Sequence, residues 1–450
     1  MDKTAYQNLP SVDALLNQAE AFSLPHALKR NEARNLLKDC RQELSTGRTL
    51  TREQVESRFR ERLETVDHSL RRVINASGVV LHTGLGRAPY SDAMLDAMEM
   101  LRDGYVNLEL DLDSGRRGDR HDHLRPWLSA LSGAEDGLLV NNNAAAVLLS
   151  LNTFADRKEV VVSRGQQVEI GGSFRIPEII RKAGAKLVEV GTTNRTHSRD
   201  YRDAITPRTR ILLWVHSSNY RVEGFTKEVA LTEMVTIAHN HGLLCMADLG
   251  SGALTDIGQY GLLREPLVEE VVATGVDLVS FSVDKLLGGP QGGIVVGRKD
   301  LIRKLSKNNL LRALRPDKLQ ILLTREALRS YLEPGSAPKS LPTYRDFAIQ
   351  ETALQQRAEK LVEELKNPQL AVEIISTSTQ VGSGASPLET IPSVALSLKH
   401  RRLSARTLAR RLRCHDPAIL GRIENDRVIL DLRTVRSGED KALLEALREV

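Results

Sequence analysis

Cysteine is scarce in this chain: three among 450 residues, Cys40, Cys245 and Cys414, odd in number and widely spread. They make neither a disulfide framework nor a zinc cluster, and they fit a reducing, cytoplasmic setting. Long apolar runs are missing too, and no stretch reaches the about 18 residues that a transmembrane helix requires. The opening MDKTAYQNLP has no cationic run followed by an apolar one, so no secretory leader is expected. Charge of one sign is barely in excess: 63 Lys and Arg against 58 Asp and Glu leave +5. That permits a polyanionic partner without demanding one. Internal repeats and low-complexity tracts are absent. What is there is ordinary for a soluble globular protein, 41% hydrophobic and 27% charged. The length allows a sizeable core and suggests two or three domains.

Residues 1–72 read as helices only. Ser11 caps a short helix with Val12, Leu15, Leu16 and Ala19 on one face. A second helix runs from His26 to Leu44, and Gly47 breaks it. Thr51 opens a third, with Val55, Phe59, Leu63, Val66 and Leu70 as its stripe. From about residue 78 short apolar runs alternate with amphipathic stretches, among them GLLV (137–140), VVV (160–162), RILLWV (210–215), GLLCMA (242–247), VDLVSFS (276–282) and GGIVVG (292–297). Such alternation predicts an α/β domain, a mostly parallel sheet with helices on both faces, over residues 73–325. Residues 326–450 predict a small α+β domain. It holds a long helix from Tyr344 to Lys366, strands at 372–375, 394–399 and 427–432, and a helix from Ser404 to Arg413.

One lysine stands out. Lys285 follows the apolar strand VDLVSFS and precedes Leu286-Leu287-Gly288-Gly289-Pro290. A lysine at a strand end is ordinarily just solvated. Here the glycines admit close approach of backbone or ligand. Ser282, three residues earlier, offers a hydroxyl to an anion. A lysine held in such a place loses solvation, drops its pKa and forms an imine. Asp248 leaves the C-terminal end of a second buried strand, where ligands of α/β folds bind. Alone it reads as a metal ligand, a cap or the partner of a protonated ring nitrogen. Paired with Lys285 the third reading gains, because pyridoxal phosphate enzymes need both groups. Upstream, Asn143, Ala144 and Ala145 open a helix directly after GLLV, where free amides suit a phosphate. Asn219, at another strand end, is either a donor to the ring hydroxyl or a plain turn residue. Arg87, Arg312 and Arg315 are anion forks in waiting, or a solvated basic face.

These segments together resemble the bacterial selenocysteine synthases, the L-seryl-tRNA(Sec) selenium transferases. The runs that carry the resemblance are NASGVVLHTGLGRAP (75–89), NNNAAAVLL (141–149), SRGQQVEIGGSFRIP (163–177), SNYRVEGFT (218–226), ADLGSG (247–252), SFSVDKLLGGPQGG (280–293), LRALRPDKL (311–319) and GRIENDRVILDLRTV (421–435). LPSVDALL (9–16) extends it into the helical part. Gly84 and Val283 stand where the family pattern has Asn and Gly.

The resemblance implies a fold-type I pyridoxal phosphate architecture, like aspartate aminotransferase, with Lys285 linked to the cofactor and Asp248 at the pyridinium nitrogen. It implies that Arg87, Arg312 and Arg315 bind selenophosphate and that residues 1–72 bind tRNA(Sec). It implies a homo-oligomer, a dimer at least and a ring of dimers in bacterial members, with no membrane or DNA partner. The implied reaction converts seryl-tRNA(Sec) to selenocysteinyl-tRNA(Sec) by β-elimination of water and addition of selenium. The residue stacked on the ring is to be sought in 166–175. The alternative is a lyase of the same fold acting on a free amino acid or amino sugar acid. Residues 1–72 hold 13 Lys and Arg against 11 Asp and Glu, too even to argue for RNA by charge. The stretch from Lys399 to Arg413 is more basic and has no acid. It reads first as the exposed face of a helix, with an RNA contact as the alternative.

Overall fold

Ser11 accepts a hydrogen bond from the Ala14 amide at 3.1 Å, so the helix after it starts where a capping serine puts it. Thr51 and Gln54 form a reciprocal capping box in the same way. The computed structural model describes residues 8–170, 174–218, 220–333, 335–382 and 389–450. It divides into two compact units, Met1–Val73 with Asp416–Ala418, and Ile74–His415 with Ile419–Val450.

The first unit holds helices α1 (Val12–Gln18), α2 (His26–Ser45) and α3 (Arg52–Asp67). Leu15, Leu36, Leu37, Cys40, Val55, Phe59 and Leu63 form its core. Their spacing of three and four residues is one helical stripe on each element. The stripe expected to reach Leu70 stops earlier: α3 ends at Asp67 and Leu70 is 98% exposed.

The second unit is built on seven strands: β1 (Asp136–Val140), β2 (Glu159–Ser163), β3 (Lys186–Val190), β4 (Thr209–Val215), β5 (Leu244–Gly250), β6 (Leu278–Ser282) and β7 (Gly293–Gly297). Their order is β1-β7-β6-β5-β4-β2-β3. β7 runs antiparallel to both neighbours, and the other pairings are parallel. Apolar side chains from both faces enter separate cores, one with Leu139, Leu212, Val279 and Phe281, the other with Leu138, Val160, Leu213 and Met246. That is why these strands read as continuous apolar runs rather than alternating ones. Helix α4 (Asn143–Ala155) packs on the second of these faces.

The predicted long helix over 344–366 is two helices, α5 (Pro342–Ala348) and α6 (Glu351–Glu364). The break has a packing reason. Tyr344 and Phe347 belong to the core of the large sheet, whereas Leu354, Ala358 and Leu361 belong to a separate core. That core covers a four-stranded antiparallel sheet, β8 (Leu370–Gln380), β9 (Thr390–His400), β10 (Arg422–Glu424) and β11 (Arg427–Asp431), in the order β8-β9-β11-β10. Helices α7 (Ala405–Cys414) and α8 (Asp440–Glu449) complete it. Among the described residues no helix is long and apolar enough to cross a membrane.

Candidate active site

The ends of β1, β4, β5 and β6 lie on one edge of the sheet, where open α/β folds bind ligands. Each end delivers one part of the site. β5 delivers Asp248, which is 4% exposed. Its Oδ1 accepts from Asn143 Nδ2 at 2.9 Å and from Ser280 Oγ at 3.0 Å. Burial pushes its pKa above the usual carboxylate value, while those two donors and the charge of Lys285 pull it down. A desolvated carboxylate held by two donors favours a cation beside it.

Three residues past β6 comes Lys285, also 4% exposed. Burial lowers its pKa, and Arg87 lowers it further, against the opposing charges of Asp284, Asp248 and Glu265. The amine is thus biased toward its neutral, nucleophilic form. Gly250 shows how close the groups stand. A Cβ added there would lie 3.3 Å from Ser218 Oγ and 4.0 Å from Lys285 Nζ. Gly250 also has φ +69°, a conformation that glycine adopts without strain.

After β1 the chain turns into α4. Asn142 caps it, its Oδ1 accepting from the Ala145 amide at 2.8 Å. The Ala145 N–H serves this cap, and the amides of Asn143 and Ala144 are the other first-turn donors. β7 runs alongside, and Gly293 lies so near that an added Cβ would sit 2.2 Å from the Asn142 carbonyl oxygen. Ser282 is buried at the end of β6, in register with Gly293.

The arginines fall in two places. Arg87 pairs with Asp284 (Nη1 to Oδ2, 2.6 Å), the neighbour of Lys285. The turn carrying Arg312 and Arg315 is tied to the end of β1, because the Leu314 carbonyl accepts from the Asn141 amide at 2.9 Å. Both side chains are exposed. Arg315 lies 3.6 Å from Glu109 Oε1. Buried Arg120 braces the same turn, donating to the Pro316 carbonyl and, at 2.9 Å from Nε, to Glu109. Asn219 lies outside the described residues, as do positions 171–173 in the stretch expected to hold the ring-stacking residue. Gln166 in that stretch is buried and accepts from the Val215 amide at 3.2 Å.

Several groups were missed by motif reading. Ser280 holds Asp248; it shares a strand face with Ser282, and that alternation in VDLVSFS was the available signal. His216 stacks on Trp214 with ring centroids 5.8 Å apart, and its Nε2 lies 3.0 Å from buried Glu265. Ser251 donates to the same carboxylate at 3.0 Å. A cleft of about 530 Å³ opens beside β4, lined in part by Ser163, Trp214, His216, Ser217 and Tyr220.

Four side-chain oxygens at these strand ends, on Asn141, Asn143, Ser217 and Ser218, are buried with no hydrogen-bond partner among the described residues. Leaving a buried polar atom unpaired costs about 1–3 kcal/mol. Two hydroxyls able to donate, on Ser217 and Ser218, and two amide oxygens able to accept, around a buried lysine and carboxylate, fit the polar edge of pyridoxal phosphate.

Comparison with known proteins decides the family. The family model for L-seryl-tRNA selenium transferase matches residues 73–436. The chain is 45% identical to the L-seryl-tRNA(Sec) selenium transferase of Rhizobium meliloti (strain 1021), covering 98% of this chain and 97% of that protein.

The chain belongs to the L-seryl-tRNA selenium transferase family.

The Moorella thermoacetica member of the family is 44% identical over 98% of this chain and 96% of its own length. Among solved structures, a D-glucosaminate-6-phosphate ammonia-lyase superposes with a TM-score of 0.60 at 22% identity, covering 86% of this chain and 97% of that one. That likeness concerns the fold. The architecture is the fold-type I one, α/β with a mostly parallel central sheet.

Proposed function

We propose that this chain is a pyridoxal phosphate-dependent enzyme that converts L-seryl-tRNA(Sec) to L-selenocysteinyl-tRNA(Sec), taking selenium from selenophosphate. Membership of the family supports the reaction. One observation supports the site assignment: buried Lys285 and buried Asp248 sit at neighbouring strand ends, amid side-chain oxygens without partners among the described residues. The same reading divides the chain into a tRNA-binding part (1–72), a cofactor-binding part (73–325) and a C-terminal part (326–450). It takes the active form to be a homo-oligomer in the cytoplasm.

When bound, the cofactor supplies an electron sink for a carbanion at the α-carbon of the seryl group. The residues of this chain do the rest. Lys285 Nζ would hold the cofactor and, as a free amine, would take the α-proton of the seryl group. Asp248, fixed by Asn143 and Ser280, would be the partner of the cofactor's ring nitrogen. The amides of Asn143 and Ala144, with the Ser217 and Ser218 hydroxyls, would hold the cofactor's phosphate and neighbouring polar atoms. Ser282 and Asn219 belong to the same reading. Arg87, Arg312 and Arg315 hold selenophosphate. The substrate carboxyl is an ester, so no arginine has to grip a free carboxylate, and these cations are left for another anion. The β-hydroxyl takes up a proton and leaves as water, selenium bonds to the β-carbon, and the P–Se bond breaks with water adding to phosphorus, so that phosphate is released.

The test is direct. The holoenzyme given seryl-tRNA(Sec) and selenophosphate should yield selenocysteinyl-tRNA(Sec), and free L-serine should yield no product. Turnover of free serine alone would overturn the proposal in favour of a small-molecule lyase.

A further inference from the structure

The stretch from Lys399 to Arg413 holds seven cations, Lys399, Arg401, Arg402, Arg406, Arg410, Arg411 and Arg413, and no acid. All seven are exposed. Among the described residues none of them is in an ion pair. Arginines elsewhere in the same layer are paired: Arg427 with Glu373 at 3.1 Å, Arg422 with Glu424 at 2.5 Å, Arg357 with Asp440 at 2.5 Å. An unpaired surface arginine is common. Seven within 15 residues repel one another, and the fold leaves that repulsion uncompensated.

Helix α7 orders them. Ala405, Leu408, Ala409 and Leu412 are buried against the four-stranded sheet. Arg406, Arg410 and Arg413, at i, i+4 and i+7, therefore share one outward stripe about 10 Å long. The helix dipole accounts for Arg411 and Arg413 in the last turn, where cations are favoured. It does not account for Arg406 in the first turn, nor for Arg401 and Arg402 just before the Ser404 cap, where cations are disfavoured.

We propose that the outward face of α7, with Lys399, Arg401 and Arg402, binds the phosphate backbone of the RNA portion of the substrate. The proposal rests on the reading under Proposed function, which supplies an RNA, and adds a contact outside the helical part to which tRNA binding is assigned there. Six of the seven cations are arginine, whose planar fork matches phosphate. No Phe, Tyr or Trp lies in the stretch, and the His400 ring is held by the Arg402 and Leu403 amides at its Nδ1, so the face tracks backbone rather than stacking bases. An anionic membrane is the poorer fit, because the apolar side of the helix is already spent on the core.

The experiment uses full-length holoenzyme and a tRNA(Sec) transcript, with binding measured by fluorescence anisotropy over a range of salt. R406Q/R410Q/R413Q should weaken binding at least tenfold, and the slope of log affinity against log salt should flatten by about 2–3, as expected for three lost phosphate contacts. R406K/R410K/R413K keeps the charges and should stay within threefold of wild type. Circular dichroism and visible cofactor absorbance check that each variant is folded. If the Gln variant binds RNA as tightly and with the same salt slope as wild type, the proposal fails while the reaction assignment stands. If wild type itself does not bind the transcript, both fail. Loss of binding to phosphatidylglycerol vesicles with RNA affinity unchanged would assign the face to a membrane and refute the proposal.

Discussion

Replacing Gly293 by Ala tests the geometry of the site without reference to any reaction. The added Cβ would lie 2.2 Å from the Asn142 carbonyl oxygen, 2.4 Å from its carbon and 2.6 Å from the Asn143 nitrogen. All three are backbone atoms, so no rotamer change relieves the overlap. Ordinary contact begins at 3.4 Å, so the two segments must part by at least about 1 Å. Gly293 is pinned in the sheet, opposite Val140 on one side and Ser282 on the other. The start of α4 therefore moves instead. That strains the Asn142 cap and stretches the 2.9 Å bond from Asn143 to Asp248. Overpacking costs about 1–3 kcal/mol and a lost cap about 1 more. A total loss of about 2–4 kcal/mol is expected. Urea unfolding of the apo-protein measures it, and titration with pyridoxal phosphate followed in the visible measures cofactor affinity, which should fall with it. Gly438→Ala is the control, because an added Cβ there meets nothing within 4 Å. A G293A protein with the wild-type urea midpoint and wild-type cofactor affinity would refute the account of the helix start.

Lys285→Ala should abolish the visible absorbance of the bound cofactor while leaving the far-ultraviolet spectrum unchanged. Retention of that absorbance would sink the assignment of the amine. Because burial lowers the Lys285 pKa, the neutral amine builds up below the ordinary lysine value of about 10.4. The rate of covalent capture of pyridoxal phosphate by apo-protein, trapped with borohydride, should therefore rise with pH and level off before that value. A midpoint at the ordinary lysine value would contradict this. Asp248→Asn should bind cofactor but lose about 10²-fold or more in kcat, the scale of removing one fixed electrostatic partner. Glu265→Gln should destabilise by about 1–3 kcal/mol, since His216 and Ser251 lose a charged acceptor, and unchanged thermal stability would argue against that network.

The fold was legible wherever local chemistry coincided with packing. Ser11 and Thr51 mark helix starts because the cap is a local bond. The apolar runs mark strands because the sheet is covered on both faces. The strand-end positions of Lys285 and Asp248 were legible because the apolar runs before them mark strands. Glu265 and His216 were not, because they lie in connecting segments 49 residues apart, brought together by the fold, with no spacing rule to link them. The helix predicted across Ile349 failed because its two halves feed different cores, which no periodicity within one segment reveals.

The reversed strand β7 threads between β1 and β6, so the loop bearing Lys285 and the start of α4 hang from a single rung of the ladder. Their separation is a matter of strand register, quantised by the pleat, and the surrounding loops do not set it. Insertions or sequence drift in those loops alter what can enter this pocket, while the span between its two fixed posts stays the same.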